Sequence, residues 1–453
     1  MIKMRLAEAA RAVDGVVVGD DTLFCGCATD SRTLTRAALF VALRGPRFDG
    51  HDFLDQALAA GAVAAMLERR MGRMRSELLV KDTRAALGAL ASAWRTRFER
   101  PMVAITGSNG KTTVKEMLRH ILAGQGQVLA TQGNLNNDIG VPLTLFQLDQ
   151  EHRYAVLEMG ANRAGEISAL CALVRPNVAC VTQCAPAHLE GFGSIDGVAR
   201  AKGEIFAALP SDGTAVLNAD DAYASFWQGL IGERRCIRFG LSTDVEVRAD
   251  DIGLSAQGSA FKLVTPSGAS DVKLTLPGKH NVLNALAAAA SAEALGVSVS
   301  AMRQGLESMR PVAGRLEAKA GRGGCRVLDD SYNANSGSFG AALEVLGQYA
   351  GERWLVLGDM GELGQAAFSL HHQLGEMAHQ AGVKRLYAVG ELSRQAVAAF
   401  GPGGRHFATP EGLLKALEGD LHQDLTILIK GSRAARMENV VNALLAGAKQ
   451  PCC

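Results

Sequence analysis

Short apolar runs and segments of helical periodicity alternate along most of this chain. The pattern holds from residue 82 to 312, and a second unit of the same kind begins at residue 313. Apolar runs of strand length between amphipathic helical segments are typical of parallel sheets with helices on both faces. The predicted strands are Met102–Thr106, Tyr154–Met159, Val178–Thr182, Thr214–Asn218, Arg326–Asp330, Trp354–Gly358, Leu386–Val389 and Leu425–Ile429.

Three regions with different patterns predict an α/β protein of three domains. Residues 1–81 mix short strands and helices, and residues 82–312 and 313–453 each predict an α/β unit. Within the central region, Val245–Leu276 changes to strict alternation with turn residues, which predicts antiparallel hairpins. A helix is predicted over Asn281–Leu295, with Gly296 as its stop signal.

Length and composition exclude several classes of protein. A chain of 453 residues with 48% hydrophobic residues is too long for one core, and its net charge of +1 indicates no nucleic-acid surface. No apolar run is long enough to span a membrane, and the N-terminus lacks the apolar core of a signal peptide. The nine cysteines contain no CxxC pair, so zinc is not expected and reduced thiols in a cytoplasm fit best.

The clearest chemical signal is the segment TGSNGKTT, which directly follows the predicted strand Met102–Thr106. Gly107 and Gly110 let the backbone approach a phosphate, and a helix that begins near Lys111 adds partial positive charge. Lys111 can reach the terminal phosphates, and the Thr112 hydroxyl can ligate Mg²⁺. The usual first glycine of such loops is replaced by Ile105, yet strand, loop and helix in sequence predict a nucleoside triphosphate site.

Other polar residues follow strands of the same predicted sheet. Glu158 ends one strand and is placed to supply an oxygen ligand to Mg²⁺. His188 lies in the loop after the next strand, where it could ligate a second metal or contact a phosphoryl group. Lys202 lies in a helical segment, and from the residues alone it is expected to be a solvated surface charge.

Polar residues also cluster at the predicted cleft between the two large units. Asn281 and Asn284 are three apart, so they share a helix face and could bind adenine or phosphate, although Asn281 is also a credible helix cap. Arg315 follows a predicted hinge and could stabilise a transferring phosphoryl group. Asp330 could accept from a ribose hydroxyl. Asn333, Asn335 and the segment Lys430–Arg433 (KGSR) follow strands in the same way.

Together these segments resemble the Mur ligases, the ATP-dependent amide-bond ligases of bacterial cell-wall assembly. The resemblance runs along nearly the whole chain, with TGSNGKTT, LEMGAN, AHLEGFGS, the Lys202 segment, HNVLNALAAAA, AGRLE and DDSYNAN in the order of the family. GNLNNDIGVPLTL, DDSYNAN and GDMGELG are most similar to the members that add D-alanyl-D-alanine to UDP-N-acetylmuramoyl-tripeptide. The segment DNPR, expected of the members that add diaminopimelate or lysine, is absent from the sequence.

The resemblance implies an acyl-phosphate mechanism in a bacterial cytoplasm, and we expect a monomer. Lys111, Lys202, His188 and Arg315 would be catalytic, with Lys202 N-carboxylated. Thr112, Glu158 and His188 would hold two Mg²⁺ ions. The ATP site would contain Gly107, Ser108, Asn109, Gly110, Lys111, Thr112, Thr113, Asn281, Asn284, Arg315 and Asp330. The UDP-sugar peptide would meet Ser31, Arg32, Arg47, Asn134, Asn137, Asn333 and Asn335.

Three residues depart from the family pattern, and three other functions remain open. Cys184 and Pro186 stand where the family usually has glycine and a residue other than proline, and Ser336 stands where it usually has proline. A folylpolyglutamate synthase-like ligase would keep the loop, Glu158, His188 and Lys202, but would lack a UDP-binding first domain. A P-loop switch would hydrolyse nucleotide without a second substrate. A non-enzymatic nucleotide-binding scaffold would not need so many candidate metal ligands.

Overall fold

The computed structural model describes residues 1–447, and their strands form three main sheets. The first part of the chain holds a small α/β unit. Its elements are β1 (Lys3–Arg5), α1 (Leu6–Val13), β2 (Val16–Gly19), β3 (Leu23–Cys25), β4 (Cys27–Ala28), β5 (Leu39–Val41), a 3-10 helix (Gly50–Phe53), α2 (Leu54–Ala59), β6 (Ala64–Leu67), β7 (Ser76–Leu79) and α3 (Thr83–Arg95).

This first sheet has the order β2-β7-β6-β5-β4, in which β4 to β7 are parallel and β2 is an antiparallel edge. A separate pair joins β1 and β3. Helix α3 packs against α1, and the Trp94 indole nitrogen donates to the carbonyl of Leu148, 3.2 Å away. One hydrophobic core therefore continues from the first sheet into the central part of the chain.

The central part is built on a sheet of nine strands. Its elements are β8 (Met102–Thr106), α4 (Lys111–Ala123), β9 (Gln127–Ala130), α5 (Gly140–Leu145), β10 (His152–Glu158), α6 (Glu166–Val174), β11 (Val178–Val181), α7 (Leu189–Phe192), α8 (Ile195–Ala207), β12 (Thr214–Asn218), α9 (Ala224–Ile231), β13 (Arg235–Gly240), β14 (Val247–Ser255), β15 (Gly258–Thr265), β16 (Gly268–Leu274), α10 (Lys279–Ala294) and α11 (Val299–Ser308).

The order of the central sheet is β16-β15-β14-β13-β12-β11-β8-β10-β9. The seven strands from β8 to β14 are parallel, and β15 and β16 extend the sheet as antiparallel hairpins. The hairpins predicted over Val245–Leu276 are thus confirmed. Every residue of β8 is buried, because the strand lies between β10 and β11 with helices on both faces. Parallel strands covered in this way are near-continuous apolar runs, which is why β8 is readable in the sequence.

The last part forms a six-stranded sheet of order β17-β18-β22-β19-β20-β21, parallel except at β17. Its elements are β17 (Glu317–Ala320), a 3-10 helix (Arg322–Gly324), β18 (Arg326–Asp330), α12 (Ser336–Gly347), β19 (Glu352–Gly358), a 3-10 helix (Gly364–Ala366), α13 (Ala367–Gln380), β20 (Arg385–Val389), α14 (Arg394–Phe400), β21 (Gly404–Phe407), α15 (Pro410–Glu418), β22 (Leu425–Lys430), a 3-10 helix (Arg433–Ala435) and α16 (Glu438–Leu444).

The predicted α/β fold in three parts is confirmed, and all eight predicted strands agree with the structure within two residues at each end. Three of them, Met102–Thr106, Thr214–Asn218 and Arg326–Asp330, agree residue for residue. Helix α10 begins two residues before the predicted Asn281 and ends one before Leu295. Among residues 1–447, no helix has the length and apolar character needed to cross a membrane.

Candidate active site

The phosphate loop joins the buried β8 to α4 at the carboxyl edge of the central sheet. Gly110 has a φ of 82°, and a Cβ there would lie 2.3 Å from Asn284 Oδ1, so both conformation and space require glycine. The loop is anchored by Ser108, whose backbone N–H donates to Gln183 O at 2.9 Å. Lys111 Nζ donates to Gly107 O at 2.7 Å, and burial lowers the pKa of this lysine.

Glu158 faces the loop from the end of β10. Its Oε2 accepts from the Thr112 hydroxyl at 2.9 Å, and its Oε1 accepts from Asn136 Nδ2 at 2.8 Å. The side chain is buried, with 3% exposure. A carboxylate and a hydroxyl held this close are the oxygen donors that a Mg²⁺ ion takes beside phosphate oxygens.

Lys202 projects from α8 toward the loop. The residue is 2% exposed, so its interpretation as a solvated surface charge is wrong. Burial and the nearby Lys111 charge lower the pKa of Lys202 to about 7. Its ammonium group lies 5.6 Å from the centre of the Phe192 ring. The helix that carries it begins with a Ser194 cap, whose hydroxyl accepts from Gly197 N at 3.1 Å.

His188 is where the central part meets the last part of the chain. It has a left-handed backbone with φ 52°, and its Nδ1 lies against the carboxylate of Glu362, which follows β19. Burial lowers the pKa of His188. The backbone N–H of Glu190 also donates to Glu362 O, at 3.4 Å. These contacts bring the two parts together at the site.

The last part of the chain supplies the opposite wall. The Arg315 guanidinium lies 4.1 Å from the centre of the Tyr332 ring, and its Nε is buried with no partner among the described residues. Lys430 Nζ donates to Asp330 at 2.5 Å and to Asn333 O at 3.0 Å. Burial raises the pKa of Asp330 and lowers that of Lys430. The attraction between the two charges acts against both shifts, because it favours the ionised form of each group.

Two adjoining cavities lie between these walls. The larger, of about 700 Å³, contains the phosphate loop, Glu158, His188 and Lys202. The smaller, of about 140 Å³, is lined by residues of α10, by Asp330 and by the start of α12. Asn109 and Arg315 line both, so an elongated ligand could pass from one to the other. A hydrogen bond joins the last part of the chain to the phosphate loop here, because Asn335 Nδ2 donates to Asn109 Oδ1 at 2.7 Å.

The structure brings together most of the predicted site residues. The larger cavity is lined by Ser108, Asn109, Gly110, Lys111, Thr112, Asn134, Asn137, Glu158, His188, Lys202, Arg315, Asn333 and Asn335. The smaller is lined by Asn109, Gly110, Thr113, Asn281, Asn284, Arg315 and Asp330. Gly107, within the loop, lines neither cavity, and its carbonyl accepts the hydrogen bond from Lys111.

The predicted residues of the first part lie elsewhere. Of the residues that the structure describes, none before Ser108 lines either cavity. Ser31 donates to Gln56 at 3.3 Å, and Arg32 pairs with Asp30 at 2.7 Å in an exposed loop. Arg47 is also exposed. Within residues 1–447, these three side chains therefore form no part of the cavity wall.

Two predicted amides have structural roles. Asn281 donates to Pro277 O at 2.8 Å and accepts from Asn284 at 3.1 Å, which confirms that these two share a helix face. Its side chain caps nothing, because the helix cap is Gly278. Asn137 accepts from two backbone N–H groups at the start of α5.

Several polar residues of the larger cavity are not predicted from the sequence, among them Asn136 and Glu362. Both lie in segments that carry the family resemblance, GNLNNDIGVPLTL and GDMGELG, and Arg433 lies in the predicted segment KGSR. Glu362 and Arg433 follow strands of the last sheet, which is a usable signal. The individual residue within each loop was not distinguishable without the loop conformation.

Two of the departures from the family pattern, Cys184 and Ser336, have a described place in the structure. The Cys184 N–H donates to Asp221 at 2.6 Å, and Ser336 is the first residue of α12.

Comparison with known proteins identifies the family. Residues 24–95 match the Mur ligase family catalytic domain, residues 105–292 the Mur ligase middle domain, and residues 314–433 the Mur ligase, glutamate ligase domain. The chain is 47% identical over 447 residues to the UDP-N-acetylmuramoyl-tripeptide–D-alanyl-D-alanine ligase of Escherichia coli, covering 98% of this chain and 99% of the relative. The corresponding ligase of Haemophilus influenzae is 40% identical, with 98% and 99% covered.

Solved structures agree with this result. A crystal structure of MurF from Acinetobacter baumannii superposes with a TM-score of 0.92 at 36% identity, covering 97% of this chain and 98% of the other. MurF ligase from Thermotoga maritima, in complex with ADP, gives 0.82 at 29% identity, with 92% and 96% covered. Folylpolyglutamate synthase from Mycobacterium tuberculosis shares the fold alone, at 18% identity and a TM-score of 0.65. The chain belongs to the Mur ligase family.

Proposed function

We propose that this enzyme joins D-alanyl-D-alanine to UDP-N-acetylmuramoyl-tripeptide with ATP, giving ADP, phosphate and UDP-N-acetylmuramoyl-pentapeptide. One observation carries the proposal. Lys111, Lys202 and the Thr112–Glu158 pair line one wall of a single cavity, and the last α/β unit forms the opposite wall. The choice of substrates is supported by full-length relatives that bear this activity in their names, at 47% and 40% identity.

ATP fits the two adjoining cavities. The phosphate loop offers backbone N–H groups, the start of α4 and Lys111 to the phosphates. The smaller cavity offers Asn284 and Asp330 to the base and ribose. The related T. maritima enzyme was solved in complex with ADP, which supports adenine nucleotide binding by this chain.

The site also fits Mg²⁺. Thr112 and Glu158 provide hard oxygen donors 2.9 Å apart on the cavity wall, and His188 provides a candidate nitrogen for a second ion. Bound Mg²⁺ would neutralise phosphate charge and polarise the transferring phosphoryl group.

N-carboxylation of Lys202 is supported by the environment of this side chain. It is buried, its pKa is lowered to about 7, and Lys111 lies near it. A lowered pKa leaves much of the amine neutral and therefore nucleophilic toward carbon dioxide. The positive charge of Lys111 would then stabilise the resulting carbamate.

The reaction proceeds in two steps. An oxygen of the tripeptide carboxylate attacks the γ-phosphorus of ATP, the bond to the bridging oxygen breaks, and ADP leaves. Lys111 and Arg315 stabilise charge on the transferring group. The ammonium group of the dipeptide gives one proton to water, and the resulting amine attacks the acyl carbon. Phosphate leaves with the carboxylate oxygen, and the nitrogen gives its second proton to the departing phosphate. Because acyl phosphates hydrolyse, closure of the two walls would exclude water from this intermediate.

The UDP-sugar peptide would extend from the first part of the chain toward the cavity. We assign Ser31, Arg32 and Arg47 to its nucleotide end, and Asn134, Asn137, Asn333 and Asn335 to the end that enters the cavity. We also propose that the chain is a cytoplasmic monomer of three domains, with residues 1–81, 82–312 and 313–453. Residues 448–453 lie outside the described residues.

The direct test is product formation by the purified protein with Mg-ATP. We expect phosphate release and a UDP-pentapeptide mass only when both UDP-tripeptide and D-alanyl-D-alanine are present. Release with ATP alone, unaffected by either substrate, would instead indicate a nucleotide-driven switch. Activity with folate and glutamate would indicate the folylpolyglutamate synthase-like alternative.

A further inference from the structure

The C-terminal wall of the cavity carries two side chains of opposite charge on adjoining loops. Glu362 follows β19 and Arg433 follows β22, and these strands are parallel neighbours in the last sheet. The loops touch, since Ser432 N donates to Asp359 O at 2.9 Å. Both charged groups therefore line the same side of the site.

Of the three glutamates that line the larger cavity, Glu362 has the fewest hydrogen-bond partners within the protein. Glu158 is held by Thr112 and Asn136, and Glu166 accepts from the backbone N–H groups of Asn162 and Arg163. The carboxylate of Glu362 lies against His188, and its side chain remains 58% exposed. It is thus available to a cation in the cavity, and its contact with His188 shows that it reaches the wall opposite its own.

The backbone at Glu362 supports a role for its side chain. Its φ is 61°, in the left-handed region that favours glycine. The neighbouring residues Gly361 and Gly364 show that glycine is common in this loop. Glycine would adopt this backbone conformation at a lower cost in free energy than glutamate does. The presence of glutamate here therefore points to a use for its carboxylate.

Arg433 has free donors on the same wall. It is 67% exposed and pairs with Glu438 at 3.3 Å, and its guanidinium lies 5.9 Å from the centre of the Tyr332 ring. A guanidinium has five N–H donors, so one ion pair leaves donors for a ligand carboxylate.

We infer that Glu362 binds the ammonium group of the incoming dipeptide and that Arg433 binds its terminal carboxylate. This inference rests on the proposed function. A zwitterionic dipeptide carries these two charges at opposite ends, roughly 7 Å apart when extended. An amine held by Glu362 lies between the two walls, on the side from which it must reach a carboxylate activated at the phosphate loop. The pair therefore selects a free dipeptide with both ends charged.

The first test compares Michaelis constants in the full-length enzyme. Glu362→Gln should raise KM for D-alanyl-D-alanine roughly tenfold or more, because the bound ammonium group loses its charged partner, and leave KM for ATP and UDP-tripeptide within about twofold. Glu362→Gly should do the same while keeping or raising the melting temperature, because it relieves the left-handed strain. The matched control is Glu190→Gln, an exposed carboxylate at the same junction that does not line the cavity.

The second test separates the two ends of the dipeptide. N-acetyl-D-alanyl-D-alanine keeps the carboxylate and lacks the ammonium group, so its inhibition constant should weaken in Arg433→Gln and stay unchanged in Glu362→Gln. D-alanyl-D-alaninamide lacks the carboxylate, so its KM should rise in Glu362→Gln and stay unchanged in Arg433→Gln. Equal effects of each variant on both compounds, or an unchanged dipeptide KM, would overturn the assignment. If wild-type enzyme forms no pentapeptide, the proposed function itself fails.

Discussion

The two walls of the cavity are built differently. On the central wall, Lys111 is bonded to its own loop and Glu158 is held by two side chains, and Lys202 is 2% exposed. On the C-terminal wall, Glu362 and Arg433 are 58% and 67% exposed. On the same C-terminal wall Asp330 and Lys430 are a buried pair, so only part of this wall offers exposed charge. We therefore propose that the buried groups of both walls act on the phosphates and that the exposed Glu362 and Arg433 select the second substrate.

Removing Lys111 breaks the central wall most directly. Lys111→Ala should lower kcat roughly 1000-fold, because the phosphoryl group loses a fixed positive charge. Phosphate release at saturating substrates measures the effect. Near-normal turnover would contradict the role of the phosphate loop.

Lys202 tests how strongly the central wall is desolvated. Its folded-state pKa of about 7 lies below the ordinary value of 10.5, so the unfolded chain binds more protons between these values and stability rises with pH. Between pH 7 and 9 without bicarbonate, the stability of wild type should gain roughly 2 kcal/mol relative to Lys202→Met. Calorimetric melting of both proteins across this range measures it, and parallel pH profiles would show that the lysine is not desolvated.

Asn335 tests the contact between the walls at the phosphate loop. Its amide donates to Asn109, and its Oδ1 also caps α12 by accepting from Ser338 N. Asn335→Ser can keep the cap and lose the bond across the cavity. We expect KM for ATP to rise about fivefold, equivalent to about 1 kcal/mol, with little change in melting temperature. An unchanged KM would mean that this contact does not support nucleotide binding.

The smallest expected effect concerns a contact between the walls away from the cavity. Tyr349 follows α12 and donates through its hydroxyl to Ala256 O, at 2.9 Å, in the turn between β14 and β15. Tyr349→Phe keeps the ring and removes one hydrogen bond, so the melting temperature should fall by roughly 2 °C. Kinetic constants should not change. A change in KM for ATP would show that this turn influences the site.

The same contrast explains what could be predicted from the sequence. The central wall is local: β8, the loop and Lys111 are consecutive, and burial of β8 makes it a continuous apolar run. The C-terminal wall depends on residues distant in the chain, such as Glu362 against His188, and no local pattern specifies that pairing. The burial of Lys202 could not be predicted because helical context gives no information on tertiary burial. The capping role considered for Asn281 is wrong because Gly278 caps that helix, while its predicted contact with ATP stays a prediction.

The most direct test of the account uses UDP-tripeptide labelled with ¹⁸O in the reacting carboxylate. If the site activates that carboxylate by phosphorylation, one labelled oxygen must appear in inorganic phosphate for each pentapeptide formed. Mass spectrometry of the released phosphate measures this transfer. Pentapeptide formation with unlabelled phosphate would contradict the account, because the carboxylate would then have been activated without a bond to the γ-phosphorus.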